Sequence, residues 1–386
     1  MRKPPLDGLV VLDLSRVLAG PLATMLLADL GARVIKVEDP RGGDVSRGWK
    51  PPELDGEATY YLSVNRRKES AAVDLETPQG REFVRRWAAK ADVLVENFLP
   101  GALEKRGIGV DALRARNPRL VACSISGAGD VGPEAADPGF DLLAQGATGL
   151  MSITGPPEGP PYKIGVALVD VLAGWAAVAE ILAALAARAR DGGGLHVKTN
   201  LLSSGLAALV NVGGAALGTG REAARRGNAH ASIEPYRMFD TADGPFLLAV
   251  GTDRQFRILC ERVLRRDDLA KDARFETNAA RVANRNELVP VLAALFSREP
   301  REAWLRRCRE ANIPAGPVSS VLEAIRSPQA AALDSILEVA RSGRTVSTIR
   351  PPFFIEGFED PPPSAPPRLG EDTDRLFAEV GLTPPA

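Results

Sequence analysis

Two short apolar runs near the start of the chain, residues 9–14 (LVVLDL) and Arg33–Glu38 (RVIKVE), constrain the fold more than anything else. Both are rich in Val, Ile and Leu, without polar alternation, which reads as strand buried on both faces. Between them residues 22–30 (LATMLLADL) have helical texture and residues 15–21 (SRVLAGP) form a turn. Strand, helix and strand in that order make a βαβ unit, and such units build parallel sheets. The pattern recurs. Residues 70–75 (SAAVDL) read as a strand, residues 78–90 as a helix opened by Pro78, and 92–96 (DVLVE) and 120–126 (LVACSIS) as further strands. Several of these end in Gly- or Asn-bearing loops, and ligands dock at such loops on one edge of a parallel sheet. Taken singly, each loop is only a turn. A dinucleotide fingerprint should follow the first strand, but Ser15 to Gly20 offers one glycine where three are needed, which excludes a nicotinamide dehydrogenase.

Composition narrows the chemistry. The 386 residues carry a formal net charge of −1, so no bulk field recruits nucleic acid or an anionic membrane. The N-terminus MRKPPLDG lacks an apolar signal core. Cys123, Cys260 and Cys308 lie far apart, odd in number, and suit neither a disulfide framework nor a metal site; the expectation is a reducing cytoplasm and no metal. Only His196 and His230 are available as imidazoles, which removes most Ser/His/Asp, Cys/His and zinc schemes. Chemistry must then run on carboxylates, backbone amides or a bound cofactor.

One carboxylate stands out. In residues 163–190 (KIGVALVDVLAGWAAVAEILAALAARAR) a short apolar run ends at Asp170, and an Ala/Leu-rich helix follows. Asp170, Gly174 and Glu180 interrupt the helix too often for a membrane span. Asp170 is either a helix cap, which its position alone favours, or a nucleophile presented at a helix terminus from an apolar wall. Position does not choose between them.

The texture changes after residue 195. Residues 1–195 read as the first part of a large domain, 196–230 as a crossing linker, 231–326 as a small domain with a hairpin turning at Asp243-Gly244, and 327–386 as a return to the large domain with a Pro-rich strap.

Several segments, in order, resemble one family: LAGPLATMLLADLGARVIKVE, GDVSRGW, VENFLPGALEKRGIG, PGFDLLAQGATGLMSITG, the Asp170 helix, GNAHASIEPYRMFDTADG, IPAGPV and LGEDTDRLFAEVGL. The chain is similar to the class III CoA-transferases of CaiB/BaiF type, and the likeness spans nearly its whole length. The resemblance implies an α/β fold: a Rossmann-like large domain built from both chain ends, a smaller inserted α+β domain, and two chains interlocked as a ring-like homodimer. It implies that CoA passes from an acyl-CoA thioester to a carboxylic acid through an aspartyl mixed anhydride and an aspartyl-CoA thioester on Asp170, with Asp141 in support. CoA enters as a substrate. By similarity Ala19 approaches the nucleotide, Asn97 and Phe98 border the pantetheine, and Lys105 and Arg47 are phosphate candidates whose bland alternative is a solvated charge. Departures accompany the likeness. Asp39 stands where a basic residue is common, and Lys198, Asn200 and Ser203 alter the stretch at 196–204. An acyl-CoA racemase of the same fold needs a histidine where this chain has Phe140, and one base alone cannot serve both faces of a carbon. A CoA-binding protein without turnover is the third reading, and Asp170 argues against it.

Overall fold

The computed structural model describes residues 1–384 and divides into two compact units. The first comprises Met1–Leu150, Lys163–Arg221 and the chain from Pro328 onward; the second comprises Met151–Tyr162 and Glu222–Ser327.

The first unit is organised by six strands: β1 (Val10–Asp13), β2 (Arg33–Glu38), β3 (Lys68–Ala72), β4 (Val93–Glu96), β5 (Val121–Ser126) and β6 (His196–Asn200). All neighbours pair in parallel, in the order β3-β2-β1-β4-β5-β6. Leu12 sits opposite Ile35 on one side and Leu94 on the other. Side chains alternate across the sheet, so the two faces carry separate cores. One face packs Val11, Val34, Val95 and Cys123 under α1 (Ala19–Asp29) and the long helix Leu168–Asp191. The other packs Leu12, Ile35, Leu94 and Ala122 under α2 (Pro78–Lys90), α3 (Val110–Arg116) and the tail helix Thr373–Glu379. The result is a doubly wound α/β/α sandwich. Its order reverses between β1 and β4, and ligands bind outside the carboxyl ends of the strands at such a switch point.

Two sequence expectations change. First, residues from 196 do not begin a linker. His196–Asn200 is the edge strand of the main sheet, and the unit continues through Arg221. The stretch LHVKTN reads as strand-like in sequence; its place at the edge of the main sheet is decided by its pairing with β5. Second, the strand expected at 70–75 starts two residues earlier, at Lys68. Lys68 is buried, with Nζ 3.0 Å from Asp13 Oδ2. The helix expected after Ala167 runs 24 residues. By length and composition it is long enough to cross a membrane, yet its Val169, Ala173, Ala177 and Ile181 are buried in the core of the first unit.

The tail does run as a strap. It ends in the helix Thr373–Glu379 beside β3, where Ser70 N–H donates to Asp372 (2.9 Å) and Ala72 N–H to Thr373 Oγ1 (3.0 Å). The second unit holds an antiparallel sheet, Tyr236–Thr241, Gly244–Ala249 and Ala315–Pro317, over an aromatic core of Phe239, Phe246, Phe296 and Trp304.

Candidate active site

The site begins with a close helix crossing. Helices α4 (Asp141–Ala147) and α5 (Leu168–Asp191) both start near the carboxyl edge of the sheet, and α5 packs along α1. Gly174 permits that packing. A Cβ there would lie 2.8 Å from the Ala19 carbonyl oxygen. Asp170 is one turn earlier on the same face of α5, since residues i and i+4 align. Its carboxylate therefore reaches a cleft of about 270 Å³, shared with Ala19, Asn97, Phe98, Gly139 and Leu201. Gly139 arrives there because it packs on Gly127; a Cβ on either would meet the other's Cα within 2.6 Å.

Asp170 is not a cap. The capping position is Ala167, without a side-chain cap, and Asp170 is the third helical residue. The free N–H groups of this helix start are taken by another chain segment. Asp141 Oδ1 accepts from Val169 N–H at 2.8 Å and more weakly from Asp170 N–H at 3.4 Å. Asp141 Oδ2 accepts from Gln145 Nε2 at 2.7 Å, and Gln145 Oε1 accepts from Ile164 N–H at 2.8 Å. No hydrogen bond reaches the Asp170 carboxylate among the described residues. A helix start ordinarily favours a carboxylate anion. Here desolvation and then the Asp141 charge dominate, and Asp170 is pushed up to about 7. Tyr60 lies within the same field: burial first, then Asp170, Asp141 and Asp44, raise its phenol to about 12. Its ring meets Trp49 edge-on at 4.9 Å between centroids.

The switch point supplies the rest of the groove. Asn97, after β4, donates from Nδ2 to the Arg16 carbonyl (2.8 Å) and accepts from Arg16 N–H (2.9 Å), which ties the β1 and β4 loops together. The Arg16 guanidinium lies 4.2 Å from the centre of the Phe98 ring. Arg16, Val45, Phe98 and Leu99 also line a wider cleft of about 580 Å³, which carries Arg41 and Arg106 as well. Arg41 is paired with Asp39 and Arg106 with Glu76. Arg16 pairs with no carboxylate among the described residues, so its charge remains available.

Beneath these loops is a buried ionic network. Lys36 Nζ meets Asp44 at 2.9 Å and donates to the Ser15 carbonyl at 2.8 Å; Thr24 Oγ1 donates to Asp13 at 2.6 Å. Asp44 accepts from Val17 N–H and Ser46 N–H. This holds the turns at 13–18 and 44–47 as one platform. Such a network is weak evidence for stability, but it fixes geometry.

The structure brings Asp170, Asp141, Ala19, Asn97 and Phe98 to one edge of the sheet, and gives Ala19, Arg47 and Lys105 the following surroundings. Ala19 lines the Asp170 cleft, not the wide one, because it opens α1 directly under Gly174. Arg47 is buried, paired with Glu38 (2.7 Å) and Glu57 (2.9 Å), and lies over the Tyr61 ring. Lys105 ends the short helix Ala102–Lys105 as an exposed side chain and lines neither cleft. Sequence reading missed Arg16, Gln145 and Tyr60. Arg16 was detectable as a base directly after a strand end. Gln145 lies one turn after Asp141, but its bond to Ile164, nineteen residues on, shows only in the fold. Among the described residues no group of three or more His, Cys, Asp or Glu side chains is placed to hold a metal.

With this geometry in place, the comparisons with known proteins agree with one another. Residues 6–373 match the family described as CoA-transferase family III. A relative from Agrobacterium fabrum named succinate–glutarate CoA-transferase is 42% identical over 98% of this chain and 96% of its own. The mouse protein named succinyl-CoA:glutarate CoA-transferase is 41% identical over 97% of this chain and 86% of its own. A crystal structure of a CaiB/BaiF family protein from Brucella suis superposes with a TM-score of 0.88 at 40% identity, covering 98% of this chain and 100% of that one.

Proposed function

Because the chain belongs to CoA-transferase family III and is a class III CoA-transferase, we propose that Asp170 is its covalent nucleophile and that it moves CoA between short dicarboxylic acids. The observation that carries the nucleophile is the free Asp170 carboxylate in a cleft, beside a helix start whose N–H groups Asp141 already occupies.

An Asp170 oxygen attacks the thioester carbonyl; the C–S bond breaks, leaving a mixed anhydride and CoA thiolate. The thiolate attacks the aspartyl carbonyl, releasing the donor acid and leaving an aspartyl-CoA thioester. The acceptor carboxylate attacks that thioester, and the thiolate returns to the new acyl carbon, which restores Asp170. The Asp170–Asp141 repulsion contributes: acylation neutralises Asp170, so a ground-state cost is relieved as the bond forms. The uncapped start of α1 faces the same cleft at Ala19 and offers backbone N–H groups to the developing oxyanion. CoA lies along the switch-point loops, its pantetheine past Asn97 and Phe98 and its nucleotide end in the wider cleft near Arg16.

The dicarboxylate reading rests on the relatives' printed substrates, succinyl-CoA and glutarate. The racemase alternative finds no support: Phe140 occupies the position of the second base, and His196 is bound to Ser124 Oγ (2.9 Å) away from the Asp170 cleft. Three buried, unpaired cysteines favour a reducing compartment such as the cytoplasm. The test is mass spectrometry of the protein after incubation with succinyl-CoA, followed by hydroxylamine. A hydroxamate on the peptide containing Asp170, absent in Asp170→Ala, is expected; an Asp170→Ala enzyme that still transfers CoA overturns the assignment.

A further inference from the structure

We propose that Gln145 is a positioning residue for CoA transfer: its amide clamps Asp141 to the 164–166 segment and so fixes the helix start that carries Asp170. The inference rests on Asp170 being the nucleophile, and goes beyond it.

Gln145 is fully buried on α4, one turn after Asp141. Its Nε2 donates to Asp141 Oδ2 at 2.7 Å and, at longer range, to the Val166 carbonyl at 3.4 Å; its Oε1 accepts from Ile164 N–H at 2.8 Å. Only one amide orientation satisfies a carboxylate and an N–H at once, so chemistry fixes the orientation. The other Asp141 oxygen accepts from Val169 and Asp170 N–H. Gln145 therefore does two things. It holds both sides of the turn that enters α5, and it engages the second Asp141 oxygen while the first accepts from the α5 N–H groups. Without it, Asp141 is free to rotate away from the Val169 and Asp170 N–H groups, in a helix whose own cap position offers no side-chain bond. Productive covalent geometry tolerates little displacement.

The titratable groups facing this cluster are Asp141 on α4, Asp170 on α5 and Tyr60 from the short helix Thr59–Ser63. The helix α6 (Leu201–Ala207), which packs on α4, brings none.

Two variants of the full-length enzyme test the clamp. Gln145→Met keeps the size and removes all three hydrogen bonds. Its kcat should fall about 10–100-fold, with the KM for succinyl-CoA within about threefold of wild type. Gln145→Glu is more telling. When protonated, its side chain donates to Asp141 and accepts from Ile164, as the amide does; when ionised, it repels Asp141. Its kcat relative to wild type should rise about tenfold as pH falls from 8 to 5.5, while the Gln145→Met ratio stays flat. A purely structural glutamine would lower the melting temperature and leave these ratios unmoved. Gln145→Met with kcat within twofold of wild type, or a flat Gln145→Glu ratio, overturns the proposal; if Gln145→Met fails to fold, the Gln145→Glu ratio decides alone. Asp170→Ala run alongside keeps the two ideas apart. An active Asp170→Ala enzyme sinks the nucleophile; an inactive one with normal Gln145 variants sinks only the clamp.

Discussion

At the scale of single residues, the site is governed by where charge is left uncompensated. Asp170 has its carboxyl raised to about 7 by burial and by Asp141. The reactive form is the anion, so kcat/KM should climb through pH of about 7 and level off above it. The same shift sets a stability trend. A carboxyl raised in the folded state holds its proton more tightly there than in the unfolded chain, so stability falls as pH rises from about 4 to about 7. Asp170→Asn removes that penalty. Against wild type it should gain roughly 1–3 kcal/mol between those limits in urea titrations, while transfer falls by several orders of magnitude. A stability difference that does not change with pH would contradict the buried, repelled carboxylate. Arg16 is the second residue of consequence, as the unpaired cation where the two clefts meet. Arg16→Ala should weaken CoA binding by about 1–2 kcal/mol in calorimetry, and Lys105→Ala by less, because only Arg16 lines the clefts. The reverse order would return the phosphate role to Lys105.

At the scale of elements, the α1–α5 crossing decides whether Asp170 reaches its cleft. A side chain at Gly174 collides with backbone, the Ala19 carbonyl at 2.8 Å, and backbone cannot rotate aside. Gly174→Val should cost about 1–3 kcal/mol in unfolding free energy and should also lower kcat in the folded fraction, since Asp170 rides on the displaced turn. Loss of stability with kcat intact would show that the crossing serves packing alone. The elements themselves were largely legible. Arg33–Glu38 matches its apolar run residue for residue, and the helix from Pro78 to Lys90 was announced by its proline. His196–Asn200 was legible as strand-like but not as part of the main sheet, because its pairing with β5 joins segments some seventy residues apart.

At the scale of the whole molecule, one feature of the first unit lacks cover. The helix Val210–Thr219 is apolar yet buries no residue, with Leu217 91% exposed and Val210 74%. A soluble chain seldom leaves such a surface bare. A homodimer closed over this helix is expected, and sedimentation at low concentration should show it; a stable monomer with Val210–Thr219 still helical would refute it. Sequence alone determined the class of fold, since buried β-branched runs alternating with helices leave a parallel sheet as nearly the only solution. The scarcity of histidines and cysteines left carboxylates among the options, and the likeness to the class III CoA-transferases pointed to Asp170 among them. Only the tertiary structure decided that Asp170 is not a cap, that Arg47 is locked into Glu38 and Glu57, and that Gln145 spans Asp141 and Ile164. The physical reason is one of range. Periodicity and burial are written in neighbouring residues. A free charge and a satisfied one look the same in sequence, and what separates them is the partner that folding brings from a distant part of the chain.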